Sequence, residues 1–261
     1  MLTEVKGLVI RTVNLSDNDK LLTIFTEEHG KITAVANGSR VLKSRYLAAA
    51  QLFCYGSYVL YKKGDRYWVR EVNLIESFFD LRADLVRTAL AAYVCDVADD
   101  VVEENAPEKE FLRLVLNTLY ATASGQYDLP KIKAAFEMRA ASILGFMPML
   151  EGCHYCGRTD GEFFLDVMNG VVLCEECQRN GEGLDVPLTP EDIRTSRIIC
   201  PLSASALAAL LYTAVCPLQR LFSFRLDEAD MPLFAASAEK YLLNHLERGF
   251  KSLDFYKQIC D

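Results

Sequence analysis

The sequence has no GxxxxGK phosphate loop, no GxGxxG and no HExxH. It therefore carries no signature of a nucleotide hydrolase, a dinucleotide-dependent enzyme or a zinc protease. It holds only three histidines, His29, His154 and His245, and lacks the H-x-E with P-C-x-x-C arrangement of zinc deaminases. Nothing in their placement points to Cys–His or acid–base chemistry. The carboxylate pairs Asp99-Asp100 and Glu103-Glu104 read as a solvated, acidic helical face. The expectation is that the chain is not an enzyme. No apolar run is long enough to span a bilayer: the longest, Leu202 to Leu218, is interrupted by Ser203, Ser205, Thr213 and Pro217 and reads as a buried core helix. MLTEVKG runs directly into a strand-like pattern, so no secretory leader is expected. Internal repeats and low-complexity segments are also missing.

What is present is a globular composition. Apolar residues make up 51% and charged residues 25% of 261 residues, enough to bury a core in one large domain or two to three smaller ones. Nine cysteines bring a secreted disulfide scaffold to mind, but the length, the odd count and the missing leader argue for reduced thiols and a cytoplasmic protein. Five of them, Cys54, Cys95, Cys200, Cys216 and Cys260, sit among apolar neighbours and are expected in the core. The net charge of −8 speaks against nucleic acid until it is divided. Residues 1–80 carry 11 Lys+Arg and 9 Asp+Glu, whereas residues 81–261 carry 17 and 27. A weakly basic module is thus attached to an acidic body.

The first 80 residues alternate with a period of two. KGLVIRTV, KLLTIFT, KITAVAN, LFCYGSYVLYKK and RYWVREVNLIESF are five strand candidates. Glu28-His29-Gly30 separates the second from the third, and a tight Gly64-Asp65 turn joins the last two. Five strands in this length suit a small closed barrel, of OB-fold or SH3-like type. From Leu81 the period becomes helical, with Leu81, Leu85, Thr88, Ala92 and Cys95 on one face. Pro107 opens a second helix that Gly125 ends, and a third runs from Pro130 to Leu144. Further helices are expected at 190–199, with Thr189-Pro190-Glu191-Asp192 as its cap, and at 203–214 and 231–248. The fold class is α+β multidomain: a barrel over 1–80, then a helical domain over 81–261 with a metal-binding insert at 151–180.

That insert is a C-x2-C-x17-C-x2-C pattern formed by Cys153, Cys156, Cys174 and Cys177. Two CxxC pairs at this spacing point to one tetrahedral, structural Zn(2+) per chain, because four thiolates close the coordination sphere. Gly157 suits a knuckle turn, and Asn169-Gly170 suits a hairpin returning the second pair to the first. His154 reads as a surface side chain.

Two basic clusters stand out in the barrel region. Arg40, Lys43 and Arg45 are followed by Tyr46, and Lys62, Lys63, Arg66 and Arg70 are interleaved with Tyr61, Tyr67 and Trp68. Cations along a backbone with aromatic faces for bases is the combination that binds single strands. The same aromatics at alternating positions could equally fill the barrel.

The segments KGLVIRTVNLSDNDKLLTIFTEEHGKITAVANGSR, GSRVLKSRY, FEMRAASILGFMPMLEGCHYCG, LCEEC and YLLNHLERGFKSLDF, in that order, resemble the bacterial DNA recombination and repair protein RecO family. The resemblance implies an N-terminal OB-fold and a helical domain with a zinc finger whose ligands are Cys153, Cys156, Cys174 and Cys177. It further implies binding of single- and double-stranded DNA, strand annealing, and RecA loading with RecR on DNA coated by single-stranded DNA-binding protein. Such a protein is expected in the cytoplasm, associated with the nucleoid. An OB-fold RNA-binding or translation-associated factor and a protein–protein scaffold are the rival expectations.

Overall fold

Alternating apolar residues dictate the first five elements. The computed structural model, which describes residues 2–64, 66–181 and 197–260, has strands β1 (Leu2–Asn14), β2 (Lys20–Thr26), β3 (Gly30–Ala36), β4 (Tyr55–Lys63) and β5 (Arg66–Glu76). They close into a barrel in the order β1-β2-β3-β5-β4. All neighbours pair antiparallel except β3 and β5, which meet in parallel at Ala34–Tyr67 and Val35–Trp68. This is the OB-fold arrangement, and the SH3-like alternative is set aside. The interior is filled by Val9, Leu22, Ile24, Ala34, Tyr58 and Leu60, all buried. Each large apolar side chain there is worth about 1.5–3 kcal/mol over its exposed state. The buried Tyr58 hydroxyl donates to the Ala49 carbonyl at 3.0 Å, so its burial leaves no orphaned donor.

Helices follow: α1 (Leu85–Val101), α2 (Lys109–Ser124), α3 (Leu129–Ile143), α4 (Glu175–Arg179), α5 (Ala204–Val215), α6 (Met231–His245) and α7 (Lys251–Cys260). None of them is long and apolar enough to cross a membrane. The compact unit containing the barrel runs past residue 80, through Gln126, and also takes in Phe250–Asp261. Its helices begin and end for local reasons. Asp84 caps α1 by accepting from the amides of Val86 and Arg87 at 2.8 and 3.1 Å. Gly125 ends α2 in the left-handed conformation, and Arg87 donates to the Ala123 carbonyl at its C-terminus. Phe111 of α2 meets Phe25 of the barrel at 6.1 Å, and Phe250 packs edge-on to Tyr93 of α1 at 5.7 Å.

The expected apolar face of α1 is displaced. Leu85 is exposed, while Ala91, Tyr93, Val94, Cys95, Val97 and Ala98 are buried. The helix contacts β1, α2 and α7 together, so it is enclosed on more than one side and a single stripe does not describe it.

The second compact unit, Tyr127–Gly249, is built on α3, which packs against α5 and α6. Lys133 of α3 is buried and held by Glu137 at 2.9 Å and Glu239 of α6 at 2.6 Å. Strands β6 (Phe163–Asp166), β7 (Val171–Cys174) and β8 (Ile199–Leu202) form a sheet in the order β7-β6-β8. The cap proposed at Thr189–Asp192 and most of the helix at 190–199 lie outside the described residues. Residues 199–202 form β8 rather than continuing a helix, because β6 offers an edge on which Leu165 pairs with Cys200. The last expected helix, 231–248, is cut short, and a further helix that the sequence reading did not anticipate follows it. The expected helix stops at His245, Glu247 takes a positive φ of 50°, and α7 begins at Lys251. Cys54, Cys95, Cys200 and Cys216 are buried as expected, but Cys260 is exposed near the end of α7.

Candidate nucleic-acid interface and metal centre

The sulfur cluster is assembled by three short pieces of chain. Cys153 and Cys156 lie on a turn closed by the Gly157 amide donating to the Cys153 carbonyl at 2.8 Å, with Gly157 at a positive φ of 72°. Cys174 ends β7 and Cys177 lies in α4. The turn and β7 are tied where the His154 amide donates to the Val172 carbonyl at 2.8 Å. All four sulfur atoms lie within 4.8 Å of one another, and Cys156 Sγ is 3.6 Å from Cys174 Sγ. These four side chains are placed to hold a metal ion. The exposed ring of His154 instead packs edge-on to Tyr155 at 5.0 Å.

The hairpin that returns the second pair differs from expectation. Asp166 pairs with Val171, so the loop has four residues, 167–170, with Asn169-Gly170 at its end. Asp166 organises it, accepting from the Asn169 amide and the Asn169 side chain and pairing with Arg197 at 3.1 Å. Four crowded thiols cannot all ionise unaided. Burial raises Cys153, but the backbone amides of Cys156, Cys174 and Tyr155 outweigh it and bring the thiol down to about 6. Burial and then the neighbouring sulfurs push Cys177 up. The Arg158 backbone pulls Cys156 down, yet Cys153 and Cys174 prevail and raise it.

On the barrel, the β4–β5 tip carries Lys62, Lys63 and Arg66, all exposed. Lys63 pairs with Arg66 across Gly64, which has a positive φ of 62°. Asp65 lies outside the described residues. Lys62 and Arg66 line a groove of about 440 Å³, together with Tyr67. The groove is floored by Leu21, Thr33 and Val35 of β2 and β3 and bounded by Leu15 of the β1–β2 loop. This is the face on which OB-folds take oligonucleotides, between strands two and three and the loops after strands one and four. Lys62 lies 5.6 Å above the Tyr67 ring.

Sequence profiles described as "Recombination protein O N terminal" and "Recombination protein O C terminal" match residues 1–78 and 82–200. A DNA repair protein RecO of Acetivibrio thermocellus is 34% identical over 258 residues, covering 98% of this chain and 96% of the relative. A protein of the same description from Symbiobacterium thermophilum is 32% identical over 259 residues, covering 97% and 96%. Another from Bacillus subtilis is 31% identical over 198 residues, covering 76% and 77%. The chain belongs to the RecO family of DNA repair proteins.

Within this family member the two basic clusters are placed differently. Arg70 is on β5, exposed and 3.9 Å from Glu71, at a bulge where Leu60 pairs with Val69 and Val59 with Glu71. The bulge frees the Arg70 carbonyl, which accepts from the Tyr46 hydroxyl and from Arg45 at 2.9 Å. Arg45 also lies 4.8 Å over the Tyr46 ring. Arg40 is anchored at the other end of its loop, its amide donating to Asn18 and its guanidinium to Ser16. Lys43 is exposed between them. The first cluster therefore sits on a pinned, irregular segment, and the second borders the groove directly.

The structure also sorts the aromatics. Tyr67 packs against the barrel core while facing the groove. Tyr61 and Trp68 pair across β4 and β5, one position from the core residues Leu60 and Val69, and so point away from the interior. Their rings stack on each other at 6.5 Å. Groove residues that escaped sequence reasoning include His29, Lys31, Glu104 and Asn105. Asp99, assigned to the solvated acidic face, is half-buried and pairs with Arg11 at 3.3 Å and Lys31 at 3.6 Å. The only local signal for this cluster was Gly30, which admits a close backbone neighbour.

Proposed function

We propose that the chain is a non-catalytic DNA-binding mediator of recombinational repair. It holds single-stranded DNA along the barrel groove, also binds double-stranded DNA, promotes strand annealing, and loads RecA with RecR on DNA coated by single-stranded DNA-binding protein. Family membership supports the mediator roles. The observation that carries the DNA reading is the groove itself: Lys62 and Arg66, with no ion pair among the described residues, flank Tyr67 on the OB-fold's oligonucleotide face. Arg70 and the loop cations Arg40, Lys43 and Arg45 extend the positive surface along the strand's path. The acidic remainder of the chain, net −10 over 81–261, is better suited to protein partners than to phosphate. Such work belongs in the cytoplasm, at the nucleoid.

The metal assigned to Cys153, Cys156, Cys174 and Cys177 is zinc. A tetrahedral zinc with sulfur at about 2.3 Å sets sulfur–sulfur separations of about 3.8 Å, and the Cys156–Cys174 distance of 3.6 Å already meets it. Four thiolates leave no place for water, so the ion's task is to hold β7, α4 and the knuckle turn together. The test of the whole reading is a salt-titrated single-strand binding and annealing assay with and without RecR. Salt-sensitive binding and RecR-dependent change are expected; the absence of any salt-sensitive DNA binding would leave only a protein scaffold.

A further inference from the structure

The groove contains a carboxylate that phosphate binding does not explain. Glu104 lines it beside Lys62 and Arg66, yet has no ion pair with either among the described residues. A free carboxylate in a site built only for phosphates would weaken it by like-charge repulsion. Its position is nevertheless fixed. The connection between α1 and α2 lies along the β2–β3 turn, where Glu104 bridges to Gly30, the Lys31 amide donates to Glu103 at 3.2 Å and the Asn105 amide to His29 at 2.8 Å. The approach is close enough to require glycine: a Cβ on Gly30, whose φ is 61°, would lie 2.1 Å from the Glu103 carbonyl. Asn105 is itself held at a positive φ of 61°, a conformation its side chain tolerates. A backbone clamp thus presents two adjacent side chains, one acceptor-only and one both donor and acceptor, to the same groove.

We propose that Glu104 and Asn105 read the edge of one unstacked base seated against Tyr67, so that this site favours amino-bearing bases over thymine. The inference rests on the barrel groove being the single-strand site. The volume of about 440 Å³ is within the range of small-ligand pockets. Cations from the β4–β5 tip take the phosphates, the Tyr67 ring takes the base face, and the α1–α2 connection takes the base edge. Cytosine and adenine each present an exocyclic amino donor next to a ring-nitrogen acceptor. That pair matches a carboxylate beside an amide. Thymine presents its single N3–H between two carbonyl oxygens, which a carboxylate repels.

The experiment compares deoxycytidine and thymidine oligomers of equal length, which share backbone and ring size, by fluorescence anisotropy with the full-length protein. Wild type should bind the cytidine strand about fivefold more tightly. Glu104→Gln, an exposed neutral isostere able to donate as well as accept, should bring that ratio close to one while tightening both. Lys62→Ala should weaken both strands together. Equal affinities in wild type, or a ratio unmoved by Glu104→Gln, with Lys62→Ala still weakening both, would overturn the base-reading role and leave the groove as the DNA site. No binding of either strand, or binding indifferent to Lys62→Ala, would overturn the groove reading and this proposal with it.

Discussion

Replacing Lys62, Lys63 and Arg66 together with Ala removes the cations that the structure leaves most available. All three are exposed and none has an ion pair among the described residues. Within the protein the change takes away the Lys62–Tyr67 stack, worth about 0.5–1 kcal/mol at an exposed site. The Gly64 turn is untouched, so the fold should survive. Each phosphate neutralised on a single strand releases about 0.7 counterion, so three contacts contribute roughly 2 to the slope of log affinity against log salt. Referred to about 1 M salt, where the electrostatic advantage vanishes, this is about a hundredfold loss of affinity at about 0.1 M. Anisotropy titrations of a mixed-sequence single strand at several salt concentrations, with a melting curve for each variant, supply the measurement. The loss should be nearly independent of sequence, because phosphate contacts position without reading bases. An unchanged slope in a variant of wild-type stability would refute the reasoning and move the DNA path to the pinned loop of Arg40, Lys43 and Arg45.

Replacing those three loop residues with Ala should also lower the slope by roughly 2, and should further loosen Tyr46 by removing the Arg45 stack; a slope that does not move would make the loop a solvated surface. Trp68→Ala should cost about 1–3 kcal/mol of single-strand affinity with little change of slope if the outward Tyr61–Trp68 pair takes a base; a fall in melting temperature with affinity unchanged would assign the pair to packing. Cys174→Ser should abolish stoichiometric zinc, measured by elemental analysis, and lower the stability of the unit spanning residues 127–249, since thiolate–zinc binding supplies on the order of 10 kcal/mol; retention of one zinc per chain would contradict the ligand assignment. Lys133→Met should destabilise by about 3–5 kcal/mol, because it removes the buried cation that pairs with Glu137 and Glu239. Burial lowers Lys133, but Glu137 and then Glu239 outweigh it and hold its pKa above the usual lysine value. Its contribution is therefore fully present below about pH 10 and lost at more alkaline pH, so denaturant midpoints above that pH should fall more steeply in wild type than in the variant. DNA-stimulated ATP hydrolysis that copurified with the chain and survived removal of contaminants would contradict the mediator reading.

Where local pattern and tertiary environment agree, the sequence was sufficient. The period-two runs of residues 1–80 became five barrel strands because one face of each had to be buried, and a slip by one residue would have exposed Leu22, Ile24 and Leu60. Cys153, Cys156, Cys174 and Cys177 were legible because metal ligation needs particular atoms at short, repeated spacings, and their sulfurs do converge. The basic clusters were visible as charge, and the turn at Gly64 as a backbone requirement. Tertiary structure decided what depends on distant partners. Leu85 is exposed and Ala98 buried because α1 meets β1, α2 and α7 at once, which no single-helix period encodes. Residues 199–202 became a strand because β6 offered an edge to pair with. Tyr67 faces inward and groove-ward while Trp68 turns outward, a choice made by barrel register rather than residue type. Glu104 and Asn105, more than 70 residues from the hairpin they face, reached the groove through backbone contacts at His29, Gly30 and Lys31. Their role was invisible in the chain's order because a carboxylate has the same composition on a solvated face as in a binding site, and only the approach of two backbones distinguishes them.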